Sequence, residues 1–163
     1  FSADPRIIPE AIKIPLLNYD FLYDMTVNGS KVLHAKGAYL AKKYQMPLRF
    51  VAIGDMDSYS VVENAEIKAI NLSYKTGYIK YTTNDKINDE VPDRYNNAYY
   101  IHGDDEWEFL TKSDIKDKKY LRKTGYSKIT TITYDSEKKS DRIYVATNDV
   151  YRKLRELHKE IFR

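Results

Sequence analysis

The stretch AEIKAINLSYKTGY, residues 65–78, carries two opposite charges inside an otherwise apolar run that is typical of a β-strand. Because side chains of a strand alternate between the faces of a sheet, we expect Glu66 and Lys68 on one face and Ile67 and Ala69 on the other. Charges on a core strand are either paired or kept for chemistry. The stretch therefore predicts an ion pair at a sheet edge or a functional site.

Composition restricts the classes of protein to which the chain can belong. Its 163 residues, 42% apolar and 31% charged, suffice for one domain with a hydrophobic core. The absence of Cys excludes disulfides, a thiol nucleophile and a cysteine zinc site. With a formal net charge of only +3, an anionic partner must bind a local basic surface. No apolar run approaches the ~20 residues of a membrane helix, so we expect no membrane partner.

The order of the predicted elements indicates an α+β fold, because helices are followed by mostly antiparallel strands. Hydrophobic spacing and turn residues predict helices at 16–25, 30–46 and 148–163, a turn at 74–77, a short polar helix at 113–123, and hairpins within 98–112 and 126–147. We predict one domain over 1–163, with 1–26 as an N-terminal arm and dimerisation region and 27–163 as the core that carries the site.

An acidic cluster, GDMD at 54–57, precedes Glu66 and Lys68 by about ten residues. Two carboxylates on adjacent strands can hold Mg²⁺, which prefers oxygen ligands. The metal lowers the pKa of its bound water and polarises a phosphate, and a neighbouring lysine can orient or deprotonate that water. Hydrolysis of a phosphodiester needs these groups, so the spacing is compatible with a metal-dependent nuclease site, and an ion pair at a sheet edge stays the alternative interpretation.

The ordered series NGSKVL, GDMD, EIKAIN, KTGY and YTTND, within residues 27–115, resembles the PD-(D/E)xK nuclease superfamily and, within it, the PvuII-type restriction endonucleases. The resemblance implies a restriction-endonuclease-like core, a mixed and mostly antiparallel sheet flanked by helices. It implies a Mg²⁺-dependent type II site-specific deoxyribonuclease that cleaves double-stranded DNA. It further implies a cytoplasmic homodimer whose two-fold axis matches a palindromic site.

The resemblance assigns the catalytic roles to five residues. Glu66 corresponds to one metal ligand and Lys68 to the catalytic lysine. Asp57 corresponds to the other metal ligand, and Asp55 remains an alternative to it. Tyr95 aligns with a tyrosine near the cleaved phosphate.

The same resemblance assigns the contacts with DNA. Asn28 and Gly29 lie where such enzymes approach the minor groove. The segment that reads base edges would consist of Lys80, Tyr81, Thr82, Thr83 and Asn84. Related enzymes carry a histidine cluster in this segment, so the chain is expected to read a different site.

An alternative from another class of protein stays open. The chain would then be a non-enzymatic α+β binding domain of an envelope or secretion-complex protein. Glu66 and Lys68 would in that case form an ion pair.

Overall fold

The structure is a computed structural model that describes residues 1–83, 99–102, 107–112, 114–116, 121–135 and 137–163. In this part of the chain the strands are β1 (Leu16–Leu17), β2 (Leu48–Ala52), β3 (Asp55–Val62), β4 (Ala69–Thr83), β5 (Tyr99–His102), β6 (Trp107–Thr111), β7 (Leu121–Tyr134) and β8 (Lys138–Ala146). The helices are α1 (Tyr19–Val27), α2 (Ala35–Tyr44) and, after one 3₁₀ turn, α3 (Val150–Ile161). None of the helices in these ranges is long and apolar enough to cross a bilayer.

The strands form two sheets, and the predicted α+β class is confirmed. One sheet has three strands in the order β1-β3-β2, with β1 parallel to β3. The other has five antiparallel strands in the order β5-β6-β4-β7-β8. Helices α1 and α2 pack against each other, and their buried side chains share one core with residues of β3, β4 and β7.

The helix predicted at 16–25 is confirmed as α1, but it begins at Tyr19, because Leu16 and Leu17 form strand β1. Asn18 caps the helix, because the Asn18 side chain accepts a hydrogen bond from the Phe21 backbone N–H at 2.8 Å. Phe21 and Leu22 are fully buried, and Phe21 packs edge-on against Tyr134 of β7. Helix α2 is shorter than the prediction of 30–46, because its first turn is capped by His34, whose side chain accepts a hydrogen bond from the Lys36 backbone N–H.

The turn predicted at 74–77 is wrong, because β4 continues through it to Thr83. Lys75 and Thr76 remain paired with Lys128 and Ser127 of β7, and the register shifts between Thr76 and Tyr78. Gly77, at φ +84°, takes the left-handed conformation that such a bulge needs. The glycine bends the strand instead of ending it.

Both predicted hairpins are confirmed, whereas the predicted polar helix is not. Strand β5 pairs with β6, and β7 pairs with β8, in each case antiparallel. Within 113–123 the described residues are 114–116, which are not helical, and 121–123, which belong to β7. The continuous pairing of Leu121–Lys123 with β4 outweighs the local helix signal.

The N-terminal segment packs into the fold. The Leu72 backbone N–H donates to the Ser2 carbonyl at 2.7 Å, which extends the pairing along the free edge of β4. Ala3 and Ile8 are buried against Leu154 of α3, and the Ser2 hydroxyl lies 3.0 Å from His158 Nε2. Residues 1–26 therefore contribute to the core of this chain, whatever else they contact.

The chain just after α1 lies so close to the backbone of β4 that there is no room for a side chain. Gly29 follows the helix at φ +114°, and a Cβ atom placed on it would lie 2.1 Å from the Tyr74 carbonyl oxygen. Only glycine allows this contact between two backbones.

Gly29→Ala is therefore expected to destabilise the protein strongly. A left-handed conformation costs about 1–2 kcal/mol for a residue with a Cβ atom, and overlap with the Tyr74 backbone adds about 1–3 kcal/mol. The free energy of unfolding in urea measures the loss.

Gly54→Ala is the matched control for that substitution. Gly54 has φ +90°, but a Cβ atom at this position would have no neighbour within 4 Å, so only the conformational cost applies. Equal losses for the two variants would contradict the close approach.

Candidate functional site

Glu66 and Lys68 lie in the connection before β4 and not inside a strand, so that prediction is wrong. Strand β4 begins at Ala69, and both charged side chains are exposed. Lys68 Nζ lies 3.4 Å from Asp135 Oδ1, while Ile67 packs against the core. Polar and apolar residues do alternate here. The two charged side chains face solvent, so neither needs a partner to compensate for burial.

The proposed metal ligands do not form a cluster in the described residues. Asp57 is exposed on β3, and of Asp55 only the backbone is described. In the same part of the chain no group of three or more His, Asp or Glu side chains could hold a metal ion. Tyr95 lies outside the described residues. Magnesium binding stays a prediction.

Asn28 and Gly29, which the resemblance places at the minor groove, hold α1 on the sheet. The Asn28 Nδ2 group donates to the Asp24 carbonyl at 2.9 Å. Its Oδ1 atom accepts hydrogen bonds from Lys128 Nζ and Thr130 Oγ1, each at 3.3 Å. The polar atoms of Asn28 are therefore engaged within the protein.

Of the segment expected to read base edges, residues 80–83 belong to the central strand β4. Tyr81 is fully buried, stacks on Phe109 and accepts a hydrogen bond from the Ile115 N–H at 2.8 Å. Lys80 and Thr82 are partly exposed. The side chain of Thr83 and the whole of Asn84 lie outside what the structure describes.

A cavity of about 390 Å³ lies between the two sheets, under the N-terminal segment. Its size falls in the range of small-molecule sites. The wall is mostly apolar and comes from the N-terminal segment, the end of α1, strands β2 to β4 and helix α3; among its residues are Ile8, Leu17, Met25, Phe50, Leu72 and Leu154.

Polar groups enter this wall at two places. On one side Lys13 Nζ donates to Ser58 Oγ at 2.5 Å, which engages one of its three N–H groups. On the other side Asn71 and Ser73 of β4 are buried, at 2% and 5% exposure. Asn71 Oδ1 and Ser73 Oγ have no hydrogen-bond partner among the residues that the structure describes. Burying a polar atom without a partner is costly, so these two atoms are candidates for contact with a ligand or an ordered water.

A carboxylate at the mouth of the cavity is held in its ionised form. Asp4 accepts hydrogen bonds from Arg6 Nε and Nη2 at 2.9 and 2.6 Å. These bonds keep the pKa of Asp4 below its usual value. A carboxylate paired in this way is a poor general base near neutral pH.

Sequence reasoning missed Asn71 and Ser73, although a signal for them exists. They alternate with Leu72 and Tyr74 in β4, which the pattern predicts correctly from Ala69 to Ser73. Polar residues at alternate positions suggest a solvent-facing side. Here that side is covered by α1 and the N-terminal segment, which no local pattern reveals.

No protein-family model matches the chain. A search of curated proteins found aspartokinases: that of Rickettsia bellii is 38% identical over 52 residues, which are 32% of this chain and 13% of the relative. That of Thermus thermophilus is 40% identical over 48 residues, 29% of this chain and 12% of the relative. That of Rickettsia conorii is 29% identical over 86 residues, 53% of this chain and 20% of the relative. The matched part is thus about an eighth to a fifth of these proteins' length.

Solved structures extend the likeness over the whole fold. Escherichia coli aspartokinase III in complex with aspartate and ADP superposes with a TM-score of 0.71 at 13% identity, over 99% of this chain and 50% of that one. Aspartate kinase from Clostridium acetobutylicum superposes with a TM-score of 0.67 at 13% identity, over 97% of this chain and 51% of that one. The chain therefore has the fold of about half of an aspartate kinase.

These findings overturn the resemblance to restriction endonucleases. The similar proteins are aspartokinases in sequence and in fold, so the predicted endonuclease core, type II deoxyribonuclease activity and restriction function are wrong. The predicted double-stranded DNA partner is therefore also wrong. The homodimer was inferred from a palindromic DNA site, and that argument no longer applies. The alternative of a binding domain is closer, but these relatives are not envelope or secretion proteins.

Ser73→Ala is expected to leave the protein as stable as before or to stabilise it. The substitution removes a buried hydroxyl that has no partner in the described part of the chain, and burying such a group costs about 1–3 kcal/mol. The free energy of unfolding in urea, measured without added ligand, gives the sign.

Ser127→Ala on the neighbouring strand is the matched control. Ser127 is equally buried, but its hydroxyl lies 2.9 Å from Thr147 Oγ1. Its loss should destabilise by about 1 kcal/mol. A Ser73→Ala variant that loses as much as Ser127→Ala would show that the Ser73 hydroxyl has a partner.

Proposed function

We propose that the chain is an ACT-like regulatory unit of an aspartokinase-like protein, and that its cavity binds an α-amino acid. The observation that carries the proposal is the cavity itself, in which unpaired polar atoms of Asn71 and Ser73 lie opposite an apolar wall. The likeness to aspartokinases supports the choice of ligand class, since one of the similar structures is a complex with aspartate.

The groups around the cavity match the two charges of an amino acid. An α-ammonium donates three hydrogen bonds, and Asn71 Oδ1 and Ser73 Oγ can accept them. An α-carboxylate accepts hydrogen bonds, and Lys13 has two N–H groups beyond the one given to Ser58. Charge-assisted bonds of this kind are about twice as strong as neutral ones. The apolar wall then faces the ligand's side chain.

Binding is favoured over catalysis because the described cavity lining has no carboxylate or imidazole that is free to act as a base. Asp4 is held by Arg6, and the other described acidic residues lie outside the cavity lining. General acid–base chemistry needs a group whose pKa lies near the working pH and which is free to exchange its proton. A regulatory unit requires only that ligand binding favours one conformation.

Titration of the chain with single amino acids, aspartate first, tests the proposal by isothermal calorimetry. One amino acid should bind with a stoichiometry of one. Lys13→Met should weaken its binding by about tenfold or more, because a charge-assisted bond is worth about 1.5–3 kcal/mol.

Lys36→Met is the control, since Lys36 is exposed on α2 and does not line the cavity. Its affinity should equal that of the unmodified chain. If no amino acid binds, or if both variants weaken binding equally, the cavity is not an amino-acid site. ADP is titrated in a separate arm, because the similar complex also holds ADP.

A further inference from the structure

A second cleft, of about 460 Å³, lies on the other side of α1. The cleft is bordered by α1 and by one face of β4, β7 and β8, and it is separate from the amino-acid cavity. Its lining includes five cationic side chains and, among the described residues, a single carboxylate; these are Lys75, Lys112, Lys128, Lys138, Arg142 and Asp24.

The single carboxylate is already neutralised. Asp24 Oδ2 lies 2.7 Å from Lys138 Nζ and accepts a hydrogen bond from the Tyr134 hydroxyl at 2.6 Å. Burial and, to a smaller extent, this hydrogen bond raise the pKa of the Tyr134 hydroxyl. The charges of Asp24 and Lys138 thus offset each other, and four cations remain without an acidic partner in the described part of the chain.

The register of the sheet brings these cations onto one face. Lys75 on β4 is directly opposite Lys128 on β7, and Arg142 on β8 is opposite Thr130, the next residue of β7 on that face. Lys112 follows β6, and its ammonium lies 5.1 Å from the centre of the Tyr78 ring. Like charges directly opposite each other destabilise a sheet.

The electrostatics of Lys128 reflect this crowding. Burial, together with the charges of Arg142, Lys75 and Lys112, lowers the pKa of Lys128 to about 8. Burial and the positive charge of Lys75 likewise lower the pKa of Lys112. The folded chain therefore holds these positive charges against their mutual repulsion, and an anion between them would relieve it.

We propose that this cleft binds a small polyanion, a metabolite with two or more phosphate or carboxylate groups. Four unneutralised cations around one cleft exceed what a single monoanion can offset. Arg142 supplies the planar fork that suits phosphate or carboxylate, and the lysines supply point charges. At 460 Å³ the cleft has the size of a metabolite site.

Calorimetric titration with inorganic pyrophosphate and with citrate, at constant ionic strength, tests the proposal. At least one of them should bind saturably with a stoichiometry of one, and acetate should not compete. Tighter binding of pyrophosphate indicates a phosphorylated ligand, and tighter binding of citrate indicates a polycarboxylate. If neither probe binds saturably, the cleft is not a polyanion site.

Arg142→Gln and Lys128→Met should each weaken binding of the probe by about tenfold or more, because each removes a charge-assisted contact. Arg49→Gln is the control. Arg49 is an exposed arginine on β2, stacked on Tyr59, and its replacement removes the same charge from the other sheet. Equal weakening by Arg49→Gln and Arg142→Gln would mean general attraction to a positive protein and would overturn the site.

The pH dependence of the affinity gives an independent measurement. The titratable and charged groups around Lys128 in the cleft are Asp24, Lys75, Tyr78, Lys112, Lys138, Arg142 and Tyr144. Lys128 has a pKa of about 8, so the affinity should fall as the pH rises through 8 and Lys128 loses its proton. The Lys128→Met variant should lack this fall. Identical profiles for the two proteins would remove Lys128 from the site and contradict the proposal.

Discussion

The seating of the last turn of α1 on the five-stranded sheet is the contact on which the rest of the structure depends. Gly29 meets the backbone of β4 at a distance that excludes any Cβ atom. Asn28 accepts hydrogen bonds from two residues of β7, and Asp24 binds Tyr134 and Lys138. This docking joins the helical part of the chain to the large sheet.

The same turn divides the covered face of the sheet into two spaces of opposite character. Met25 and Gly29 line the largely apolar cavity, whereas Asp24 and Asn28 line the cationic cleft. Successive residues of a helix point in different directions, so one turn can border both spaces. Each space contains a feature that is unfavourable for stability alone: unpaired polar atoms in the cavity, and opposed lysines in the cleft. Natural proteins tolerate such violations mainly where function requires them.

The elements set by local pattern could be predicted from the sequence. The alternating run before Tyr134 and the short connection to β8 predict the second hairpin, and the apolar spacing within 16–25 predicts a helix that the structure places at Tyr19–Val27. Prediction failed where a distant partner decides the structure. Thr76 and Gly77 have the composition of a turn, but pairing with β7 keeps them in a strand.

The predicted active site failed for a related reason. A carboxylate followed two residues later by lysine has meaning only if both charges are buried or converge with other ligands, and neither condition is visible locally. Lys68 is 86% exposed, and its partner Asp135 comes from the end of β7. The resemblance also assigns Asn28, Gly29 and Tyr81 to DNA contacts. For Asn28 and Gly29 a simpler interpretation exists, because an Asn-Gly pair after an apolar helical run is a common way to end a helix.

The cationic cleft illustrates the limit of local reasoning most clearly. Its cations are spread over residues 75 to 142 and lie on β4, after β6, and on β7 and β8. No two of Lys75, Lys112 and Lys128 are closer than sixteen residues in sequence, and the overall charge of the chain is nearly balanced. Only the register of the sheet places Lys75 opposite Lys128 and sets Arg142 on the same face. Because strand pairing is a long-range property, the charge pattern that suggests a ligand exists in the folded chain and not in any segment of it.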